Sequence, residues 1–218
     1  MSQLNFNFKH IPAFGRKDFI VTNANTEAVQ WLDKWPNWPN KSLLVYGDKG
    51  SGKTHLIHSW KLMAKGVVLD SNNLKNISFE NLYHHNHIAI DDASKISDDT
   101  LFHLINIFNE SNKTIFLTDR LPPSKWSTCL PDLKSRLRSI LTIELKKPDD
   151  KLIYFLLVKL FNDRQLNIDN EVINYLVKRV ERNFIGIQNI VNLIDNQSFS
   201  KKKRITIPFV AKILNKET

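Results

Sequence analysis

The most constraining feature of this chain is an eight-residue segment, 47–54, which reads Gly-Asp-Lys-Gly-Ser-Gly-Lys-Thr. An apolar run, residues 43–46, comes directly before it, and residues 54–64 have the pattern of a helix. This order of glycines, lysine and threonine is typical of a phosphate-binding loop, in which a buried strand turns sharply into a helix. The chain is therefore expected to fold as an α/β protein with a nucleotide phosphate site at one sheet edge.

Each residue type in this loop has a physical reason to be there. Glycines allow the tight turn and aim backbone N–H groups inward, while the start of the helix adds partial positive charge. Lys53 is expected to reach the β- and γ-phosphates, and Thr54 to place its hydroxyl on Mg²⁺. The residues expected to surround the phosphates of ATP or ADP are Gly47, Asp48, Lys49, Gly50, Ser51, Gly52, Lys53 and Thr54.

A second apolar run, residues 87–90, leads into the pair Asp91-Asp92. A strand that ends in two carboxylates downstream of a phosphate loop has the order of a Walker B motif. The first carboxylate binds Mg²⁺, and the second orients an attacking water. We therefore expect Asp91 to be a metal ligand and Asp92 to be catalytic. The alternative is that the pair only caps the following helix.

Two further segments carry candidate catalytic residues. The apolar run 114–118 ends at Thr118-Asp119, and in a parallel sheet this strand end lies beside the γ-phosphate. Either Thr118 or Asp119 is predicted to contact that phosphate, unless the segment is only a turn with an aspartate cap. Arg136 and Arg138 lie in a short helical segment, and an arginine at a subunit edge can act on a neighbour's nucleotide.

Apolar runs alternate with helical patterns over the first two thirds of the chain, which predicts a parallel sheet covered by helices on both faces. The predicted strands are 43–46, 66–70, 87–91, 114–118 and 141–145. Beyond a hinge that starts at residue 146, the pattern becomes all-helical, and this predicts a small lid. The predicted lid helices are 150–162, 169–181, 183–196 and 207–214. The predicted division is an arm at 1–10, a nucleotide-binding α/β subdomain at 11–145 and a helical lid at 146–218.

Composition limits the classes of partner and location. The net charge is +9, and segment 146–218 carries fourteen Lys and Arg residues against eight Asp and Glu. This surface would suit nucleic acid or an acidic protein, or would serve only for solubility. Cys129 is the single cysteine, so no intrachain disulfide forms. The sequence has no apolar run of about 18 residues and no signal-peptide pattern. We therefore expect a cytoplasmic protein without a membrane segment.

These motifs together resemble the AAA+ ATPase domain of the replication initiator DnaA. The resemblance is carried by residues 47–56, which include the trailing Thr-His-Leu with His55, by the Asp-Asp pair, and by segment 117–122. Segment 133–137 resembles the family's arginine-finger segment, and Arg136 falls on the finger. The segment before the first helix resembles the family's adenine-side motif through Phe19, Ile20, Val21 and Asn25.

The similarity is greater to the Hda branch of this family, the DnaA-related regulators. The chain stops after the lid, where DnaA continues into a helix-turn-helix domain. Its N-terminus resembles the arm by which Hda binds the DNA polymerase III sliding clamp. In that arm Gln3 would form hydrogen bonds while Leu4, Phe6 and Phe8 fill an apolar pocket.

The resemblance implies negative regulation of replication initiation. A clamp-bound protein of this type promotes ATP hydrolysis on DnaA, with Arg136 offered in trans. The lid arginine that senses the γ-phosphate in this family is replaced by Ile185, which implies weak intrinsic hydrolysis and activity in the ADP-bound state. The implied partners are the clamp and DnaA, with self-association and weak or indirect DNA contact left open. The alternatives are a helicase loader of the DnaC type and a DNA-binding ATPase without sequence preference.

Overall fold

The computed structural model describes residues 20–74, 79–201 and 203–215. A five-stranded, entirely parallel sheet lies at its centre in the order β2-β3-β4-β1-β5. The strands are β1 Ser42–Tyr46, β2 Val67–Leu69, β3 His87–Ile90, β4 Thr114–Asp119 and β5 Leu141–Glu144. Central β4 is buried along its whole length, because helices cover both faces of the sheet.

In the described part of the chain, six α-helices precede or connect these strands, and four follow them. The first six are α1 Thr26–Asp33, α2 Lys53–Ala64, α3 Ser71–Leu74, α4 Phe79–Tyr83, α5 Asp98–Glu110 and α6 Pro131–Arg138. The last four are α7 Asp150–Asn162, α8 Asn170–Val177, α9 Phe184–Lys201 and α10 Ile207–Leu214. The predicted fold class, a parallel α/β sheet followed by a helical lid, is confirmed. The exact division at residues 145 and 146 remains a prediction.

The two faces of the sheet belong to two separate apolar cores. One core packs α5 and α6 against the sheet through residues such as Leu104, Phe108 and Leu137. The other packs α1 and α2 on the opposite face, where Trp38 stacks on Trp60 with ring centroids 6.0 Å apart. A third core joins the helices of the lid. The sheet therefore holds the carboxyl ends of β1, β3 and β4 rigidly along one edge.

The structure differs from the predicted elements mainly at helix ends. Helix α5 begins at Asp98 because the Ser97 hydroxyl accepts a hydrogen bond from the Thr100 amide at 3.3 Å. Helix α8 ends at Val177, before the predicted residue 181, since the chain tightens there and Arg179 N donates to Leu176 O at 2.8 Å. The short helices α3 and α4 were not predicted, because neither is long enough to show a helical period.

Two of the sequence-based assignments lie outside the described residues. They are the clamp-binding arm with Gln3, Leu4, Phe6 and Phe8, and the residue Phe19 of the adenine-side motif. Within the part of the chain that the structure describes, none of the helices is both long and apolar enough to cross a membrane.

Candidate nucleotide site

The segment between β1 and α2 forms a tight loop that depends on its glycines. Gly50 and Gly52 have φ angles of +75° and +103°, which L side chains rarely adopt. A Cβ on Gly47 would lie 2.4 Å from the carbonyl oxygen of Leu145, so no larger residue fits there without a shift of the backbone. The sequence pattern thus reflects a concave backbone turn with the shape required to surround a phosphate.

Lys53 lies in the centre of this turn and is only 7% exposed. Its Nζ donates to the carbonyl oxygens of Gly47 at 2.6 Å and Asp48 at 2.9 Å. Burial lowers the pKa of Lys53 below its usual value, while the negative charges of Asp91 and Asp92 oppose that shift. The ammonium is therefore held by the loop itself, at the point where phosphate oxygens would replace the carbonyl groups as its acceptors.

Three side chains meet beside the loop at the ends of β3 and β4. The Thr54 hydroxyl donates to Oδ2 of Asp91 at 3.2 Å, and the Thr118 hydroxyl donates to Oδ1 of the same carboxylate at 2.6 Å. The Asp91 backbone also pairs with Leu69 O at 2.9 Å, which fixes the end of β3 against β2. The structure thus brings together the two predicted metal ligands, Thr54 and Asp91, and one of the two predicted sensors.

This donor set suits Mg²⁺, which is usually bound by one or two protein oxygens together with phosphate oxygens and water. Among the described residues, there is no group of three or more His, Cys, Asp or Glu side chains that could hold a metal ion. The Asp91 carboxylate and the Thr54 hydroxyl are the protein oxygens that would hold Mg²⁺ together with phosphate oxygens and water.

Asp92 and Asp119 occupy different environments. Asp92 has a left-handed backbone with φ of +53°, faces the cleft and forms an ion pair with Lys95. Asp119 is 4% exposed, and its carboxylate accepts from the amides of Ser94 at 2.7 Å, Arg120 at 2.6 Å and Leu121 at 3.3 Å. Asp119 thus ties the end of β4 to the turn after Asp92, and its carboxylate points into backbone amides.

A cleft of about 440 Å³ opens between the loop and the lid. Its walls on the α/β side include the phosphate loop, His55, Asp91, Asp92 and Arg120. Its lid side is formed by Leu152, Leu156 and Leu160, which repeat every fourth residue along α7, and by Phe184, Ile185 and Gln188 of α9. Sequence reasoning missed Arg120 and the lid leucines. The four-residue spacing of the leucines was visible, but it also fits the packing of an ordinary lid core.

The segment before α1 borders the same cleft through Ile20 and Asn25. Asn25 is buried, and its side chain donates to Ile20 O and accepts from Thr22 N, both at 2.8 Å. Val21 is exposed and does not line the cleft. Asn25 therefore shapes the backbone next to the cleft, with its own polar groups already paired.

Arg136 and Arg138 lie on the last turn of α6, and neither lines the cleft. Both side chains are exposed, and within the described ranges neither guanidinium has an ion-pair partner. The start of α6 is fixed, since Oδ2 of Asp98 accepts from the amides of Cys129 at 2.6 Å and Leu130 at 3.1 Å. The helix is thus anchored, and its last turn carries both guanidinium groups on the surface.

Comparison with known proteins gives a consistent relationship. The family described as the Hda lid domain matches residues 151–214. The initiator DnaA of Buchnera aphidicola (subsp. Baizongia pistaciae) is 30% identical over 98% of this chain, which spans 51% of that DnaA. An uncharacterized protein of Haemophilus influenzae is 31% identical, and the alignment covers 78% of this chain and 80% of that protein.

Solved structures show the same fold at lower identity. Domain III of Thermotoga maritima DnaA superimposes with a TM-score of 0.79 at 20% identity, covering 94% of this chain and 97% of that one. AMPPCP-bound DnaA from Aquifex aeolicus gives a TM-score of 0.74 at 23% identity, covering 87% and 67% respectively. The chain spans about half the length of the Buchnera DnaA that it matches. It is a DnaA-related protein whose lid, residues 151–214, matches the Hda lid family.

Proposed function

We propose that this chain binds ATP or ADP with Mg²⁺ in the cleft between the phosphate loop and the lid. The loop supplies a glycine-rich turn around Lys53, and Thr54 with Asp91 supplies oxygen ligands for the metal. The DnaA of Aquifex aeolicus, which shares the fold, was solved with the ATP analogue AMPPCP. The apolar lid residues Leu152, Leu156 and Leu160 give the cleft a wall suited to a flat base such as adenine.

The roles of the remaining cleft residues follow from their contacts. Asp92, which faces the cleft, would orient an attacking water. Thr118 contacts Asp91 and would transmit the presence of the third phosphate to the end of β4. Asp119 would act indirectly, by holding that strand end against Ser94. Magnesium, when bound, would neutralise charge on the β- and γ-phosphates.

The chain's main action is proposed to be on a second protein, the initiator DnaA. The observation that carries this proposal is the exposed Arg136, presented by an anchored helix outside the chain's own cleft in a protein whose lid matches the Hda family. A guanidinium supplied from outside stabilises the charge that develops during phosphoryl transfer. The result would be conversion of ATP-DnaA to ADP-DnaA and negative regulation of replication initiation.

The chain's own hydrolysis is proposed to be weak, with ADP as the nucleotide of the active state. Ile185 occupies the first turn of the lid helix α9 and lines the cleft, where it contributes no charge for the γ-phosphate. The proposed partners are DnaA and the sliding clamp, which the arm around Gln3 and Leu4 would bind. Self-association and weak DNA contact through the basic lid belong to the same proposal, as does a cytoplasmic location at the replisome.

The test is single-turnover hydrolysis of ATP bound to DnaA, measured with and without this chain and with DNA-loaded clamp. We expect acceleration that requires both the chain and the clamp. Replacing Gln3 and Leu4 together by Ala should abolish the effect and the clamp binding, while ADP affinity stays unchanged. If the chain with clamp leaves the rate on DnaA unaltered, the regulatory proposal is wrong and the helicase-loader alternative becomes the next to test.

A further inference from the structure

We propose that the first turn of α9 is permanently closed on the phosphate loop, and that Ile185 makes nucleotide affinity insensitive to the third phosphate. This inference rests on the proposed nucleotide binding and adds to it a statement about selectivity. In this account the lid closes through contacts between protein groups alone. ADP and ATP should therefore bind with similar affinity and leave the lid in the same position.

The first contact is a hydrogen bond between backbones. The amide of Phe184 donates to the carbonyl oxygen of Gly50 at 2.8 Å. First-turn amides of a helix have no acceptor within the helix, so this donor is available for a partner outside α9. The phosphate loop provides that partner through the carbonyl oxygen of Gly50, so the contact uses none of the loop's own amides.

The second contact is apolar packing against the loop glycines. A Cβ on Gly50 would lie 3.3 Å from Cγ1 of Ile185, and one on Gly52 would lie 3.3 Å from Cε2 of Phe184. A side chain at either glycine would therefore crowd the first turn of α9. Together with the hydrogen bond from Phe184, this places that turn directly beside the phosphate loop.

The turn that makes these contacts is itself held in place. The side chain of Asn183 caps α9 by accepting from Gly186 N at 2.7 Å, and it donates to the carboxylate of Glu181 at 3.0 Å. The cap fixes the local geometry of this turn, and the hydrogen bond from Phe184 to Gly50 sets its position against the loop.

The first turn of α9 carries no charged side chain. Phe184, Ile185, Gly186 and Ile187 are all uncharged, and the nearby guanidinium of Arg182 pairs with Asp150 at 2.6 Å. Ile185 is 41% exposed, so its side chain covers the loop at the rim of the cleft. An arginine there would gain a strong charge-assisted bond from a third phosphate, whereas an isoleucine gains nothing from it.

The closed contact between α9 and the loop is tested by amide exchange in NMR on the intact chain. We expect the Phe184 amide to be protected to the same degree without nucleotide, with ADP and with AMPPCP. The amide of Glu171, in the first turn of α8 and without an acceptor among the described residues, serves as the unprotected reference. The proposed closed contact is refuted if the Phe184 amide exchanges as fast as the Glu171 amide without nucleotide and slows only when AMPPCP is added.

Selectivity is tested by calorimetry with the same two nucleotides. The parent chain should bind ADP and AMPPCP within about threefold of each other, and Ile185→Arg should raise the preference for AMPPCP at least tenfold, since an arginine fork pairs with phosphate oxygens. Asn196→Arg adds the same charge farther along α9, away from the cleft, and should leave the ratio unchanged.

A parent chain that prefers AMPPCP by tenfold or more would overturn the selectivity claim, and Arg120 or Lys159 in the cleft would then be the groups that read the third phosphate. If the chain bound neither nucleotide, the proposed function would be contradicted. The exchange of the Phe184 amide would still report on the closed contact between α9 and the loop.

Discussion

The cleft and the exposed end of α6 differ in the burial and pairing of their polar side chains. At and around the cleft, the polar side chains of Lys53, Thr118 and Asp119 are buried and each is already paired with a protein group. On α6, the side chains of Arg136 and Arg138 are exposed and have no partner in the described part of the chain. This contrast supports the proposals that the first region retains a nucleotide and that the second presents charge to another molecule.

This difference indicates which substitutions should separate the two proposed activities. Loss of a paired group in the cleft should weaken nucleotide binding by this chain. Loss of an unpaired group on α6 should leave the chain's own nucleotide affinity intact and affect only its action on DnaA.

The largest effect is expected at Arg136. Arg136→Ala should reduce stimulation of DnaA hydrolysis by roughly 10³-fold or more, since arginine fingers have effects of this size in well-studied switches. Arg136→Lys should not restore it, because an ammonium lacks the planar fork. Arg138→Ala is the matched control on the same turn, and ADP affinity should be normal in all three variants. If Arg138→Ala fails while Arg136→Ala is active, the finger has been assigned to the wrong residue.

A smaller effect is expected at Lys53. Lys53→Ala should weaken ADP and ATP binding by calorimetry at least tenfold, or about 1.4 kcal/mol, because the charge beside the β-phosphate is lost. Lys61→Ala, on the exposed side of the same helix, is the control and should bind normally. Equal ADP affinity of Lys53→Ala and the parent would remove the phosphate loop from the account.

Asp98 anchors the helix that carries Arg136, so its loss should affect the action on DnaA indirectly. Asp98→Ala removes the acceptor for two amides just before α6 and should reduce stimulation about tenfold, since a hydrogen bond to a charged group contributes ~1.5 kcal/mol or more. Asp98→Asn retains an oxygen acceptor and should recover most of the rate. A variant series in which Ala and Asn behave alike would show that this contact does not position the finger.

The smallest effect concerns pH and a residue far from both regions. His87 begins β3, and burial lowers its pKa below the usual 6.5. Below pH 6.5 the unfolded chain therefore binds the proton more readily than the folded one, so the free energy of unfolding should fall as the pH drops. Urea unfolding at pH 7.5 and 5.5 should show this loss reduced in His87→Phe. An unchanged pH dependence would exclude His87 as its source.

The sequence allowed the fold and the phosphate loop to be predicted, because both depend on local patterns. The order of strands and helices follows from apolar runs, and the loop follows from glycine spacing around Lys53. The lid side of the cleft could not be predicted, since Leu152 and Phe184 meet the loop only through tertiary packing. The choice between Thr118 and Asp119 was also open, because adjacent side chains on a strand point in opposite directions and the sequence does not say which one faces the nucleotide.

The central claim is that this chain holds its own nucleotide without using it and acts on the nucleotide of DnaA. Labelled ATP can be bound first either to DnaA or to this chain, and the two proteins then combined with unlabelled nucleotide on the other partner and DNA-loaded clamp. Single-turnover measurement should show rapid loss of the label that started on DnaA and slow loss of the label that started on this chain. Faster hydrolysis of the label carried by this chain, with that on DnaA unaffected, would contradict the account.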